Sequence, residues 1–207
     1  MTARLPPPLA PGAVHVWIVA RATRATSSRR ALARVLARYL PAGTALQLVR
    51  GANGRPSLRG GLGLDFNVAH TRGRLAIALA RGARVGVDIE RLRRVPACLA
   101  LAEEVFGAAA ARALARLDEP RRSARFLALW TLLEAAVKAE GADVSQSFAR
   151  YRGAALAAGE GRPPAIPDLR PFDAGRGYCA AIALDRPISS VRIFRAGGVT
   201  AGPKPRR

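Results

Sequence analysis

The most constraining feature of the sequence is the segment 121–140, which carries apolar side chains on nearly every face of a helix. A helix with this pattern has to be buried over most of its surface. Glu134 and Lys138 interrupt the apolar pattern and share one stripe of the helix with Trp130. A salt bridge on a solvent-facing strip would explain the pair simply. Because burial of an isolated charge is costly, the two groups otherwise need partners or a chemical role.

Short β-rich segments lie on both sides of this helical region. The turn-forming residues 81–84 predict a hairpin between the two strands that flank them. Helical and strand patterns come in separate blocks, which favours an α+β fold over a doubly wound parallel sheet. The sequence predicts strands over 13–20, 66–69, 75–80, 85–90, 147–151, 178–184 and 190–195.

The strand predicted over 85–90 (VGVDIE) contains two acids. Alternate side chains of a strand point to opposite faces, so its apolar residues face one way and Asp88 and Glu90 the other. The two carboxylates lie about 6 to 7 Å apart along such a strand. At this spacing both can reach one hard cation, and carboxylate oxygens suit Mg²⁺ or Mn²⁺ better than zinc. Two solvated acids at a strand edge are the alternative.

The composition is strongly basic. The 207 residues include 34 Lys and Arg but only 14 Asp and Glu, which gives a formal net charge of +20. This excess favours an anionic partner, such as nucleic acid, nucleotide phosphates or an acidic protein helix. A nucleic-acid-binding protein is one alternative. However, the aromatic residues are few, and the sequence has no C2H2, RRM or basic coiled-coil signature. We therefore predict that nucleic acid is not a partner.

Cysteine usage and hydropathy indicate the compartment. Cys98 and Cys179 lie far apart in apolar surroundings, which predicts buried hydrophobic residues and not a disulfide framework or a zinc site. The proline-rich N-terminus is followed by too few apolar residues for a signal peptide or a membrane span. We expect a soluble protein of the cytoplasm with no membrane partner.

Three segments in order resemble the motifs of Sfp-type 4′-phosphopantetheinyl transferases. They read FNVAHT at 66–71, VGVDIE at 85–90 and WTLLEAAVKAEG at 130–141. The family patterns are N-[LV]-S-H-[ST], G-[VI]-D-[IVL]-E and W-[ST]-x-K-E-[AS]-x-x-K-x-x-G. Gly-Arg-Pro at 54–56 and an arginine-bearing helix around Arg30 also match features of the family. The conjunction of these motifs is specific, although each motif alone is not.

The resemblance implies a particular architecture. It predicts two similar α+β halves related by a pseudo-twofold axis, with the active site and coenzyme A in the cleft between them. The N-terminal half would comprise 1–93 and the C-terminal half 94–196, followed by a disordered tail, 197–207. Because both halves of the family site lie in one chain, a monomer is expected.

The same resemblance implies a metal-dependent site. Asp88, Glu90 and Glu134 would ligate Mg²⁺, and Glu134 and Lys138 would be the catalytic residues. Glu134 would activate the serine of a carrier protein, and Lys138 would hold the pyrophosphate of coenzyme A. Phosphoryl transfer asks a protein mainly for positioning and positive charge, which these residue types supply.

The implied nucleotide site and reaction follow from the same family. Arg30, Arg55 and His70 would bind the 3′-phosphate and adenosine end of coenzyme A, since guanidinium and imidazolium groups suit phosphate. A structural histidine is the alternative for His70. The predicted activity is that of a holo-[acyl-carrier-protein] synthase. It moves 4′-phosphopantetheine from coenzyme A to a serine of an acidic acyl or peptidyl carrier protein and releases 3′,5′-ADP.

Two positions depart from the family patterns. Ala69 stands where the family usually has serine, and Leu133 stands where it usually has lysine. The first change removes a hydroxyl contact to the nucleotide, and the second removes a cation near the phosphates or the carrier. These departures leave open a catalytically degenerate relative that only binds coenzyme A or a carrier.

Overall fold

The computed structural model describes residues 6–20, 25–51, 54–60, 63–141, 150–153, 156 and 168–196. Helices and strands are both abundant among them, which confirms the α+β class. The strands are β1 Ala13–Ala20, β2 Leu48–Arg50, β3 Pro56–Leu58, β4 Leu64–Thr71, β5 Arg74–Arg81, β6 Val85–Arg91, β7 Asp168–Pro171, β8 Tyr178–Leu184 and β9 Ser190–Ala196. The helices are α1 Ala25–Leu36, α2 Cys98–Phe106, α3 Ala108–Ala115 and α4 Arg121–Glu140.

The long strands form two sheets. Sheet 1 has the order β4-β5-β1-β9, and sheet 2 has the order β6-β8-β7, while β2 and β3 pair with each other. Neighbouring strands are antiparallel except β1 and β9, which are parallel. The orders β4-β5-β1 and β7-β8-β6 repeat one arrangement, but the predicted twofold axis stays a prediction.

Three apolar cores hold the layers together. The N-terminal core lies between α1 and sheet 1 and includes Phe66 and Ile77. The central core lies between the two sheets and includes Val16 and Ile182. The C-terminal core lies between sheet 2 and α2, α3 and α4. The order of layers is therefore helix, sheet, sheet, helices, and the predicted burial of α4 is confirmed.

The hairpin predicted between residues 75–80 and 85–90 is wrong. β5 and β6 follow one another in the chain but belong to different sheets. β6 pairs with β8, almost a hundred residues later in the chain, with Asp88 opposite Ala181. The tight hairpin of this region instead joins β4 to β5, with Thr71 opposite Arg74. The turn at 81–84 therefore carries the chain from one sheet to the other.

Several other predictions can be compared with the described residues. Residues 150–153 are helical, so the end of the strand predicted over 147–151 is wrong, and 142–149 lie outside the description. The predicted tail, 197–207, also lies outside it. The division at 93/94 stays a prediction, although pairing places β6 in the sheet of the C-terminal half. None of the helices in the described ranges combines the length and hydropathy needed to cross a bilayer.

Helix α4 lies close against sheet 2 at Gly86. A methyl group on Gly86 would clash with the carbonyl oxygen of Ala135 and lie 2.6 Å from the amide nitrogen of Ala139. Both contacts are with backbone, which cannot move aside as a flexible side chain can. Only glycine at this position lets α4 lie directly on β6.

Replacement of Gly86 by alanine is expected to destabilise the protein by about 3 kcal/mol or more, because the helix must move away from the strand. Urea denaturation measures the change in the free energy of unfolding. Gly153→Ala is the control, since a methyl group there meets nothing within 4 Å. Equal stability of the two variants would contradict this account of the helix–strand contact.

A buried histidine lies on the α1 side of sheet 1. His15 is 2% exposed. The Trp17 Nε1–H donates to the Tyr39 hydroxyl at 2.8 Å, and the same oxygen lies 3.0 Å from His15 Nδ1. Because indole can only donate, the Tyr39 hydroxyl accepts from Trp17 and keeps its own proton, which a neutral His15 can accept at Nδ1. Burial, and secondarily the charge of Arg192, lower the pKa of His15 below its usual 6.5.

This lowered pKa makes stability depend on pH. Below about pH 6.5 the unfolded chain takes up a proton that native His15 resists, so the free energy of unfolding falls as pH falls, by up to about 1.4 kcal/mol per pH unit. Above that pH the effect disappears. His15→Gln should remove this slope between pH 7.5 and 5.5 in urea titrations. His70→Gln, at the exposed histidine, should keep it; an unchanged slope in His15→Gln would sink the explanation.

Candidate functional site

The candidate site lies where α4 crosses β6. Helix α4 starts after Pro120 and ends at Gly141, whose positive φ of 68° forms the C-cap. On β6, Val85, Val87 and Ile89 pack into the central core. Asp88 therefore points to the opposite face, where α4 lies, as the alternation of the strand predicts.

Lys138 joins the acids of the two elements. Its Nζ lies 2.6 Å from Asp88 Oδ1 and 3.6 Å from Glu134 Oε2. The side chain of Asp88 is 10% exposed and that of Glu134 is 17% exposed, so the group is mostly shielded from water. The sequence analysis left open that Glu134 and Lys138 form a simple salt bridge on the surface. The structure excludes this alternative, because the buried carboxylate of Asp88 also pairs with Lys138.

The environment of Glu134 disfavours its charged form. Burial raises the pKa of Glu134, and the negative charges of Asp88 and Glu90 raise it further. Lys138 acts in the opposite direction but does not cancel these effects. A further positive charge near Glu134 would therefore stabilise its carboxylate form.

Glu90 lies further along β6, at the rim of the same face. Its side chain is 24% exposed, and its Oε2 lies 3.8 Å from an Arg93 nitrogen. The Thr71 hydroxyl donates to the same oxygen at 3.4 Å. Glu90 is thus close enough to influence Glu134 electrostatically while remaining open to solvent.

The acid cluster has features that bear on whether it can hold a metal ion. Among the described residues, no group of three or more His, Cys, Asp or Glu side chains lies in an arrangement that could hold a metal as it stands. Lys138 contacts both Asp88 and Glu134. However, Asp88 Oδ2 is buried and has no hydrogen-bond partner. A buried carboxylate oxygen without a partner, beside two further acids, suits a hard divalent cation.

The three predicted phosphate-binding residues differ in their surroundings. Arg30 is exposed on α1, and His70 is exposed near the end of β4, on the same face of sheet 1 as Phe66 and Val68. Arg55 instead is mostly buried, with a side chain that is 14% exposed. Its terminal nitrogens donate to Asp65 and to backbone carbonyls. Its contacts therefore indicate a structural role instead of an open phosphate site.

Side chains of β4 attach the free edge of β6 to sheet 1. Asp65 Oδ2 accepts from Val85 N at 2.8 Å, and Asn67 Oδ1 accepts from Val87 N at 3.1 Å. Thr71 Oγ1 accepts from the Arg91 amide at 3.2 Å. These contacts form a regular side-chain ladder, which the sequence analysis missed. The alternation of Asp, Asn and Thr within an otherwise apolar strand was the available signal.

Ala69 interrupts this ladder. It occupies the position between Asn67 and Thr71, opposite the amide of Ile89, but a methyl group cannot accept a hydrogen bond. Ala69 is 5% exposed and packs in the central core. The other departure, Leu133, has no exposed surface and packs in the C-terminal core. A lysine at 133 would thus be buried in this structure.

The α+β fold thus brings Asp88 of β6 together with Glu134 and Lys138 of α4. Residues 84–182 match the model of the 4′-phosphopantetheinyl transferase superfamily. The match supports the superfamily predicted from the sequence, whereas the Sfp type stays a prediction. The match includes β6, α4 and most of β8, which are the elements that build the cluster.

Three proteins that are similar to this chain have names that include 4′-phosphopantetheinyl transferase. The protein slr0495 of Synechocystis is 34% identical over 125 residues, 59% of this chain and 51% of that protein. The 4′-phosphopantetheinyl transferase psf-1 of Bacillus pumilus is 32% identical over 48% of this chain and 41% of its own length. The 4′-phosphopantetheinyl transferase AcpT of Salmonella typhi is 32% identical over 48% and 52%, respectively. The chain spans about half the length of the relatives it matches.

Ala69→Ser is expected to stabilise the protein by about 0.5 to 1.5 kcal/mol, because the hydroxyl restores an acceptor for the Ile89 amide. Urea denaturation measures the change. Ala76→Ser is the matched control, since Ala76 is the buried partner of Ala69 on β5. Its hydroxyl does not extend the ladder and should destabilise. The same loss of stability in both variants would contradict the proposed gap.

Proposed function

We propose that the protein is a Mg²⁺-dependent, Sfp-type 4′-phosphopantetheinyl transferase that acts on carrier proteins with coenzyme A as donor. The observation that carries this proposal is the position of Lys138 Nζ between Asp88 of β6 and Glu134 of α4. Reaction at a pyrophosphate needs fixed charges of both signs at one point, and these three groups provide them. The match of residues 84–182 to the superfamily model supports the assignment.

Asp88, Glu90 and Glu134 are the residues that would hold Mg²⁺. When bound, the ion would supply positive charge to the pyrophosphate of the donor. Besides its contacts with Asp88 and Glu134, Lys138 has a role toward the phosphates in this scheme. A cation on Asp88 would compete with the ammonium group for the same carboxylate, so Lys138 would be available to an anionic phosphate oxygen. It can then neutralise the charge that develops on the departing 3′,5′-ADP.

Glu134 moves the proton in the proposed reaction. The carrier serine oxygen attacks the phosphorus that bears the pantetheine arm, and the bond from this phosphorus to the bridging oxygen of the pyrophosphate breaks. The Glu134 carboxylate accepts the serine proton, directly or through water. His70 and Arg30 are exposed and are proposed to bind the 3′-phosphate and adenosine end.

The rim of the site supports an acidic carrier as the second substrate. Arg72, Arg91 and Arg94 are exposed on the chain segments that surround Glu90. Positive charge around the entrance would favour encounter with an acidic protein. A monomer in the cytoplasm remains part of this proposal.

Intact-mass spectrometry of apo carrier proteins tests the function. Incubation with the protein, coenzyme A and Mg²⁺ should add one phosphopantetheine, about 340 Da by its formula, and chelation of the metal should prevent the addition. Glu134→Gln should lower the rate about 100- to 10,000-fold through loss of the base. Glu140→Gln is the matched control on the same helix, because the Glu140 carboxylate pairs with Arg150.

Two results would overturn the proposal. If Glu134→Gln transfers phosphopantetheine at the rate of the control, Glu134 takes no part in the reaction. Absence of transfer to every carrier, despite measured binding of coenzyme A, would favour the degenerate binding protein instead.

A further inference from the structure

Arg55 links three elements around the candidate site. Its Nη1 donates to the backbone carbonyl of Lys138 in the last turn of α4. Its Nη2 donates to the carbonyl of Val85 on β6 at 2.8 Å and lies 3.3 Å from the carbonyl of Phe66 on β4. A guanidinium group is planar and carries several donors, so one side chain can fix these three backbones at once.

Asp65 holds the guanidinium in this orientation. Its Oδ2 accepts from Arg55 Nη2 at 2.6 Å and from the amide of Val85 at 2.8 Å. The side chain of Asp65 is 26% exposed and that of Arg55 is 14% exposed. Since the pair is largely shielded from water, loss of either partner leaves the other charge poorly solvated and the contact to α4 unsupported.

The contact falls on a functionally sensitive residue. The carbonyls of the last helical turn lack partners within the helix, and that of Lys138 is one of them. Arg55 supplies its partner, while Asp88 binds the ammonium group of the same residue. Lys138 is thus held at its backbone by Arg55 and at its side chain by Asp88 of β6. Glu134 lies one turn earlier on the same helix.

We propose that Arg55 and Asp65 form a positioning pair that fixes the C-terminal turn of α4, and with it Lys138 and Glu134, against Asp88. This inference rests on the proposed transferase function. It replaces the expectation that Arg55 binds the 3′-phosphate of coenzyme A. The pair acts through Lys138 and touches neither substrate.

The chain offers a matched control for this pair. Arg170 Nη2 donates to Asp168 Oδ2 at 3.0 Å and to the carbonyl of Ile188 at 2.7 Å. The amide of Ile188 donates to Asp168 Oδ2 at 2.8 Å. The arrangement of carboxylate, guanidinium and backbone therefore repeats that of Asp65, Arg55 and Val85. The described contacts of Arg170 do not include α4.

The test compares Arg55→Lys, Asp65→Asn and the control Asp168→Asn with the unchanged protein. Lysine keeps the charge but lacks the fork of donors, so it should not restore the positioning role. In both Arg55→Lys and Asp65→Asn, kcat should fall about 10- to 100-fold with little change in KM for coenzyme A. Asp168→Asn should keep kcat near that of the unchanged protein.

Hydrogen exchange provides a readout that does not depend on activity. Without ligands, amides over 134–141 should exchange faster in Arg55→Lys and Asp65→Asn, whereas those of β1 and β5 should not. Asp168→Asn should leave exchange over 134–141 unchanged. Asp65→Asn is the milder substitution and keeps the test available if Arg55→Lys does not fold.

Each outcome decides the matter. A rise in KM for coenzyme A at constant kcat, with unchanged hydrogen exchange, would indicate that Arg55 binds phosphate. This result would overturn the proposed positioning pair. Full activity and unchanged exchange in Arg55→Lys and Asp65→Asn would also overturn it. If the unchanged protein transfers nothing, the proposed function fails, but local exchange over 134–141 still supports or refutes the pair.

Discussion

The close contact of α4 with β6 at Gly86 is the constraint on which the rest of the structure depends. A backbone–backbone approach of this kind fixes the height of the helix above the sheet, because neither side can yield. The ammonium of Lys138 reaches Asp88 only at that height. A bulkier residue at 86 would therefore alter the spacing between two charged groups as well as the packing of the C-terminal core.

The sequence was most informative where one segment alone determines the outcome. The alternation in residues 85–90 correctly placed Asp88 opposite the apolar side chains, and the all-round apolar pattern of 121–140 correctly predicted a buried helix. The hairpin prediction failed because a turn signal cannot reveal that β6 pairs with β8. The partners of Arg55 were equally hidden, since Asp65, Val85 and Lys138 are distant in sequence.

The two sheets are joined by side chains at one edge of β6. The edge of β6 that does not face β8 receives side chains from β4 in place of another strand. This arrangement satisfies backbone amides at a buried edge and protects it from pairing with other chains. It also means that Asn67 and Thr71 of the FNVAHT motif have structural roles, because each accepts a hydrogen bond from a β6 amide. A motif residue in this fold is thus not necessarily a ligand residue.

The position of β9 has a consequence for synthesis of the chain. β9 lies parallel to β1 at the edge of sheet 1, and Phe194 stacks on Trp17 with ring centroids 4.6 Å apart. On the ribosome, β1 emerges early but must wait for Ser190–Ala196 before this edge is covered. Contacts between such distant segments form slowly, and open strand edges attract other chains meanwhile. The nascent protein is therefore exposed to misassembly at this edge until β9 docks.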